Sequence, residues 1–424
     1  MLLELLKESI SQALLEAQAR KLLPSAELPL PELERSRDFL KSDFSCGIAL
    51  KLAAKFQSSP RIILERIAPL LSKRLNGLLS FDLAENAYLN FRFSNSALSD
   101  LLKDVLCRGA EYGSNREGLN KSLRIIMPAA LNERSNIRMT SLAFSLNRML
   151  HFCSYDVIEL TRSGQAEDKL FSVAPKQEFE RTLILYSLEE QENIRQLYQK
   201  LADNSADHAA RYELILVQNF RFGDPGFSCK DELLQQLSSD FYTHNSLIYA
   251  LSLLNSKDFG ALDVFRLKQF GFENPFFPLF DAAARLMRLT DELQEQAMDF
   301  ELFELQDAAL NVDSMRRWLI EFEQGAFHFE SAFDLNDVQN QKLRDLFLRL
   351  SLFPQCVKEA LYLRRPGKII QYAEFLLEEL SFLNARCRVL DQKPERFRAR
   401  FLLLLACKQV LRNALSLLPF KDFP

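Results

Sequence analysis

Glycine is scarce in this chain, 12 among 424 residues, which argues against the glycine-rich loops that cradle cofactor phosphates. The four histidines, His151, His208, His244 and His328, lie far apart without HxH or HExxH spacing. No metal site is therefore expected, and no serine or cysteine motif marks a nucleophile. The seven cysteines (Cys46, Cys107, Cys153, Cys229, Cys356, Cys387 and Cys407) are odd in number and contain no CxxC pair. That spacing suggests neither a disulfide framework nor a zinc site, and the expected location is a reducing cytoplasm. No apolar run reaches the roughly 18 residues a membrane span requires. The opening "MLLELLKESISQALLEAQARKLL" is interrupted by Glu4, Lys7 and Glu8, so it reads as an amphipathic helix rather than a signal segment, and no membrane partner is expected. The net charge of −4 excludes a uniformly basic nucleic-acid coat but leaves room for a local basic face.

What is abundant is Leu, Ala, Glu, Arg and Phe in helical periods, so the chain should be mainly α. The first 95 residues combine helices (1–23, 45–56, and one opened by Pro60) with the strand-like "AYLNFRFS", a small α+β domain. Next, "SLRIIMP", a helix over 136–152, "YDVIEL" and "RTLILYS" alternate as β-α-β units of a parallel sheet should. From Asn245 onward nearly every segment has helical spacing, broken at Pro275, Pro278, Gly325, Pro354, Pro366 and Pro394. The expected division is 1–95, 96–244 and 245–424, with the apolar faces of the last part burying one another without the sheet.

Three separated stretches carry a family resemblance. "SDFSCGIALKLAAKFQSSPRIILERIA" (42–68) followed by "AENAYLNFRFS" (84–94) resembles the additional N-terminal domain of arginyl-tRNA synthetases, with its GDF, NPR and GFINF elements. "ENPFFPLFDAAARLMRL" (273–289) is similar to the family's NP-x-(Y/F)-Y-x-QYAHAR segment. From "LFPQCVKEAL" to "RARFLLLLACKQVLRNALSLL" the sequence resembles a DALR-type anticodon-binding domain. The resemblance implies a small α+β N-terminal domain, an eroded class I Rossmann-like core and a C-terminal all-α, anticodon-binding-like helical bundle.

It also implies that an HxGH signature should open the helix leading to "SYDVIEL". Glu133, Arg134, Ser135 and Asn136 stand there instead, in "NERSNIRM". A helix N-terminus concentrates donors and positive partial charge that hold phosphates, and losing one such donor costs on the order of 10²–10³ in rate. A carboxylate at roughly 4 Å from a phosphate, at an effective dielectric constant near ~20, repels it by about 4 kcal/mol per unit charge. The family's glutamine, tyrosine and histidine of QYAHAR fall on Phe280, Asp281 and Ala283, with Arg285 alone in register, and a KMSK-like remnant survives at most as Lys230 of "GFSCK". The stretch between the signature and Asn274 is also shorter than the family's. No catalytic residue and no cofactor are expected; ATP enters only if the enzyme is active.

Two regions are candidates for RNA. Between Arg386 and Arg412 eight basic residues face two acidic ones, a local excess of six, and Arg396, Arg398, Arg400, Lys408 and Arg412 are the expected phosphate contacts, Arg396 and Arg400 sharing a face at i,i+4. The competing reading is an ordinary charged helix surface. In the N-terminal domain Asn90 falls on the family's asparagine, and Phe93 and Asn95 fall where an aromatic and a polar group would meet an unstacked base. The alternative there is a half-buried strand with Phe91 and Phe93 on its core side. The acidic "DELQEQAMDFELFELQD" reads as a solvated face or as a mimic of nucleic-acid charge, and Cys407 as a small core residue.

The combined reading is a tRNA-binding relative of the arginyl-tRNA synthetases that has lost aminoacylation, with tRNA or a tRNA-like RNA as partner. A divergent active arginine–tRNA ligase, with Arg134, Arg138 or Lys230 standing in for the signature, and a structural protein with protein partners are the alternatives.

Overall fold

The computed structural model describes residues 2–36, 42–75, 77–84, 87–128, 133–163, 181–186, 191–204, 212–217, 220–222, 240–254, 260–299, 333, 341–386 and 394–421. Its residues pack as two compact units, each assembled from separated segments. The first comprises Met1–Gly109, Leu293–Leu352 and Glu379–Cys407; the second comprises Ala110–Glu292, Phe353–Glu378 and Lys408–Pro424. These units cut across the consecutive segments 1–95, 96–244 and 245–424 read from the sequence. Residues beyond Asn245 therefore do not bury their faces only among themselves, as their periodicity alone implied.

In the first unit, α1 (Leu2–Ala19) buries Leu3, Leu6, Ile10, Ala13, Leu14 and Ala17, the single stripe of an amphipathic helix. It packs on α3 (Pro60–Leu75), which starts on a proline that needs no amide partner at that position. Between them in sequence come β1 (Glu34–Arg35), β2 (Phe44–Cys46) and α2 (Ile48–Phe56); β3 (Leu79–Leu83) and β4 (Leu89–Phe93) follow. The four strands form an antiparallel sheet in the order β1-β2-β4-β3. In β4, Leu89, Phe91 and Phe93 are buried while Asn90 and Arg92 are half-buried on the other face, as a period of two requires. Ser94 then caps α4 (Asn95–Arg108), its hydroxyl accepting from the Ala97 amide at 3.2 Å.

One buried ion pair joins this sheet to α10 (Gln341–Tyr362). Arg344 is 1 % exposed and Asp43 0 % in their side chains. Arg344 Nε donates to Asp43 Oδ1 at 2.7 Å and Nη2 to Oδ2 at 2.6 Å. The same Nη2 donates to the Phe93 carbonyl at 2.6 Å, and the Phe93 amide donates to Asp43 Oδ2 at 2.7 Å. Beside it, Arg35 pairs with Asp345 at 2.8 Å.

The second unit holds the parallel sheet expected from the sequence. Its strands are β5 (Ser122–Pro128), β6 (Asp156–Ser163), β7 (Arg181–Tyr186) and β8 (Tyr212–Leu216), in the order β6-β5-β7-β8. Helix α5 (Glu133–Phe152) connects β5 to β6, and α6 (Gln191–Asn204) lies between β7 and β8. Ile125, Ile126, Leu183, Ile184 and Leu185 are buried in the sheet, and Met139, Ala143, Leu146, Met149 and Leu150 are the buried side of α5. A parallel pair, β9 (Phe220–Phe222) and β10 (Gly260–Leu262), accompanies α7 (Phe241–Leu253), α8 (Val264–Lys268) and α9 (Phe277–Asp299). Helices α11 (Gly367–Arg386) and α12 (Pro394–Ser416) complete the chain. The asparagine of "ENP" has a structural task. Asn274 is fully buried, its amide donating to Ser246 Oγ and to the carbonyls of Leu267 and Gln269, and its carbonyl accepting from the Phe276 amide, all at 2.9–3.0 Å.

Replacing Arg344 with Met or Asp43 with Asn leaves a buried partner uncompensated, which should cost about 3–5 kcal/mol. The two substitutions combined should cost clearly less than their sum. Urea denaturation of the three variants checks this; additive losses would mean the pair does not act as a unit.

Candidate functional site

Strand order locates the crevice in which an open parallel sheet takes a ligand. The chain leaves β5 to form β6 on one side and returns to place β7 on the other, so the carboxyl ends of β5 and β7 flank a switch point. Helix α5 begins there, and its first turn is Glu133, Arg134, Ser135 and Asn136; their side chains lie outside the described residues. Just after them, Ile137 packs against a core of Leu247, Leu251, Leu262 and Leu267. Arg138, considered as a stand-in for a lost signature residue, is 3 % exposed. Lys230 lies outside the described residues. On α9, Ala283 is fully buried, and the one retained position of the amino-acid segment, Arg285, is 63 % exposed and hydrogen-bonded to Asp281 one turn earlier.

The expected RNA contacts divide. Phe93 is 3 % exposed and its ring meets Phe44 edge-on at 5.9 Å between centroids. It belongs to the core, which corrects its assignment as a stacking platform for a base. Arg400 is 8 % exposed. It occupies the face of α12 shared by Leu403 and Cys407, both fully buried, so the expected pairing of Arg396 and Arg400 on a phosphate-facing side does not hold. Lys408 is committed within the protein, its ammonium donating to Thr290 Oγ1 and Asp291 Oδ1, each at 2.8 Å. The side chains of Arg396 and Arg398 lie outside the described residues. Arg412 is exposed and makes no ion pair among the described residues.

In the N-terminal sheet, Asn90 is half-buried on the face opposite the core, directly across from Ser45 on β2 and Asp82 on β3. Its side chain makes no hydrogen bond among the described residues. Asn95 is the half-buried first residue of α4. Arg92 shares the Asn90 face and was not singled out from the sequence; burial, and then the neighbouring Arg344, depress its pKa. Its signal was present as the polar partner of Asn90 in the β4 alternation. Among the described residues no group of acidic, histidine and cysteine side chains could hold a metal ion, and no helix is long and apolar enough to cross a membrane.

This arrangement, a parallel sheet whose switch point faces a helix N-terminus, with a small α+β domain before it and long helices after it, is that of the arginyl-tRNA synthetases. The Thermus thermophilus arginyl-tRNA synthetase superposes with a TM-score of 0.67 at 13 % identity over 100 % of both chains. The Plasmodium falciparum arginyl-tRNA synthetase does so at 0.60 and 9 %, over 98 % of this chain and 97 % of that one. Residues 4–93 match the arginyl tRNA synthetase N terminal domain, and residues 320–421 match the DALR anticodon binding domain. A relative named arginine–tRNA ligase 2, from Bacillus thuringiensis subsp. konkukian, is 27 % identical over 174 residues, 40 % of this chain and 31 % of the relative. The matched stretch thus spans about a third of that relative's length. Two arginyl-tRNA synthetase domains are thus matched in this chain, and its fold is that of solved arginyl-tRNA synthetases.

The burial of Phe93 and Arg400 separates them from surface contacts. Phe93→Ala should lower stability by about 3–5 kcal/mol, while Asn90→Ala and Arg412→Ala should stay within about 0.5 kcal/mol of the parent. Chemical denaturation of the four single variants, Arg400→Ala included, should rank Phe93 and Arg400 as the costly positions; a neutral Arg400→Ala would return that side chain to the surface.

Proposed function

We propose that the chain binds tRNA or a tRNA-like RNA through its N-terminal and anticodon-binding domains and does not aminoacylate it. The reading is supported by the first turn of α5, which carries "ERSN" at the carboxyl edge of the sheet, where the family resemblance implies a phosphate-holding signature. A glutamate in a first turn is favourable for the helix itself, since it complements the positive end of the dipole. The same carboxylate opposes a triphosphate at that end. The buried Arg138 offers no replacement donor, and Arg285 is engaged with Asp281. ATP is accordingly neither substrate nor cofactor in this reading.

The expected outcome is no arginine-dependent exchange of pyrophosphate into ATP, with or without tRNA. Exchange above a no-protein control would instead support an active arginine–tRNA ligase. Binding should be read by salt titration, because each neutralised phosphate contributes a slope of roughly −0.7 to −0.9 in log K against log salt. Replacing Arg398 and Arg412 together with Ala should reduce that slope by about one to two and weaken all RNAs alike. Asn90→Ala should leave the slope unchanged and lower the preference for tRNA over a random RNA. Absence of RNA binding at low salt would favour a structural role with protein partners.

A further inference from the structure

A cleft of about 400 Å³ opens within the second unit, between the flank of α5, helix α7 and the segment that follows α12. Its floor and one wall are apolar, with Phe144, Leu247 and Phe420 among the lining residues. Its polar lining carries two cations, Arg148 and Lys421, with His244, Thr140 and Ser141, and none of the described lining residues is acidic. That is a strong local bias in a chain whose net charge is −4.

The walls are fixed rather than incidental. Arg148 Nη1 donates to the carbonyls of Ser416 and Leu418 at the end of α12, leaving Nε and Nη2 without a hydrogen bond among the described residues. The fully buried Asn245 side chain clamps the backbone of Lys421 from both sides, accepting from its amide at 2.9 Å and donating to its carbonyl at 2.8 Å. Phe420 packs on Phe276 at 5.8 Å between ring centroids. Burial, followed by the neighbouring Lys421, holds the His244 imidazole below its usual pKa, and burial likewise depresses the Arg148 guanidinium. Half-buried cations in proteins ordinarily meet a carboxylate, and Arg148 has none among the described residues. An anion entering the cleft would supply that charge while an attached hydrocarbon body displaced water from the apolar wall.

We propose that this cleft binds a small amphipathic carboxylate, an aryl or branched aliphatic acid, with its body against Phe144, Leu247 and Phe420 and its carboxylate toward Arg148 and Lys421. The cleft is lined by α5 from Ile137 to Arg148, beyond its first turn, and the proposal does not depend on whether the chain binds RNA.

The test is isothermal titration of the full chain with 4-phenylbutyrate and with 4-phenylbutanamide, which has the same body and no charge. The acid should bind about ten-fold more tightly than the amide, the difference of one modest charge interaction. Arg148 is a poor position to vary because it also ties down the end of α12. Phe144→Glu is suitable, since Phe144 is 41 % exposed and the new carboxylate would both remove the apolar wall and repel the ligand; binding should be lost with an unchanged thermal melt. Lys421→Gln, at an exposed residue, should weaken the acid and leave the amide unaffected. Equal affinity for acid and amide, full binding by Phe144→Glu, or no saturable binding of the acid at millimolar concentration would overturn the proposal.

Discussion

The first unit depends on a carboxylate and a guanidinium that meet where water does not reach. Asp43 and Arg344 are separated by 301 positions in sequence, and each would be intolerable without the other in that place. Their hydrogen bonds close a ring through the amide and carbonyl of Phe93 at the end of β4. Such a ring fixes more than charge. It sets the register in which the first part of α10 meets the N-terminal sheet, because a slip of one residue along β4 would exchange Phe93 for a position facing the opposite side. The matched N-terminal domain and part of the matched helical domain are thus one folding problem within this unit, although they lie at opposite ends of the chain.

Much of the architecture was legible because it is periodic. The stripe on α1, the alternation in β4 and the β5-α5-β6 succession each follow from local spacing, and the helices beginning at Pro60 and Pro394 follow from proline's tolerance in the first turn. The ion pair was not legible, since no local pattern connects a "SDF" tripeptide to an arginine three hundred residues on. Phe93 shows the limit of alternation: a period of two separates two faces without telling which is covered. Arg400 shows the limit of counting charge. The basic excess between Arg386 and Arg412 is real, but charge per segment carries no azimuth. The stretch "RFLLLLACKQVL" did hold a warning, because a helix apolar on nearly every side is buried on nearly every side. Phe401, Leu402, Leu403, Leu404, Ala406 and Cys407 are all at or below 3 % exposure. An arginine leading into that run is enclosed by the same packing.

At the candidate site, the strand–helix–strand succession β5-α5-β6 was legible in the sequence. What the sequence could not supply was the fate of the substitutes. Of the stand-ins, Arg138 is 3 % exposed, and the retained Arg285 is exposed and hydrogen-bonded to Asp281. Reactivity is a property of exposure and partners, which emerge only when the elements pack.

The fold can persist while the first turn of α5 changes because the stability of that helix is lodged elsewhere. Met139, Ala143, Leu146, Met149 and Leu150 bury its later turns, and Cys153, fully buried just beyond its end, has a thiol pushed up to about 11 by that burial. Arg148 fastens the same helix to the carbonyls that end α12. None of these contacts involves the four residues that open the helix. A helix N-terminus leaves its first amides unsatisfied within the helix, so side chains there are free to serve a ligand, and equally free to be exchanged when no ligand needs them. A glutamate is a residue type that suits the positive end of a helix dipole. The packing that holds α5 and the identity of the residues that open it are therefore physically separable.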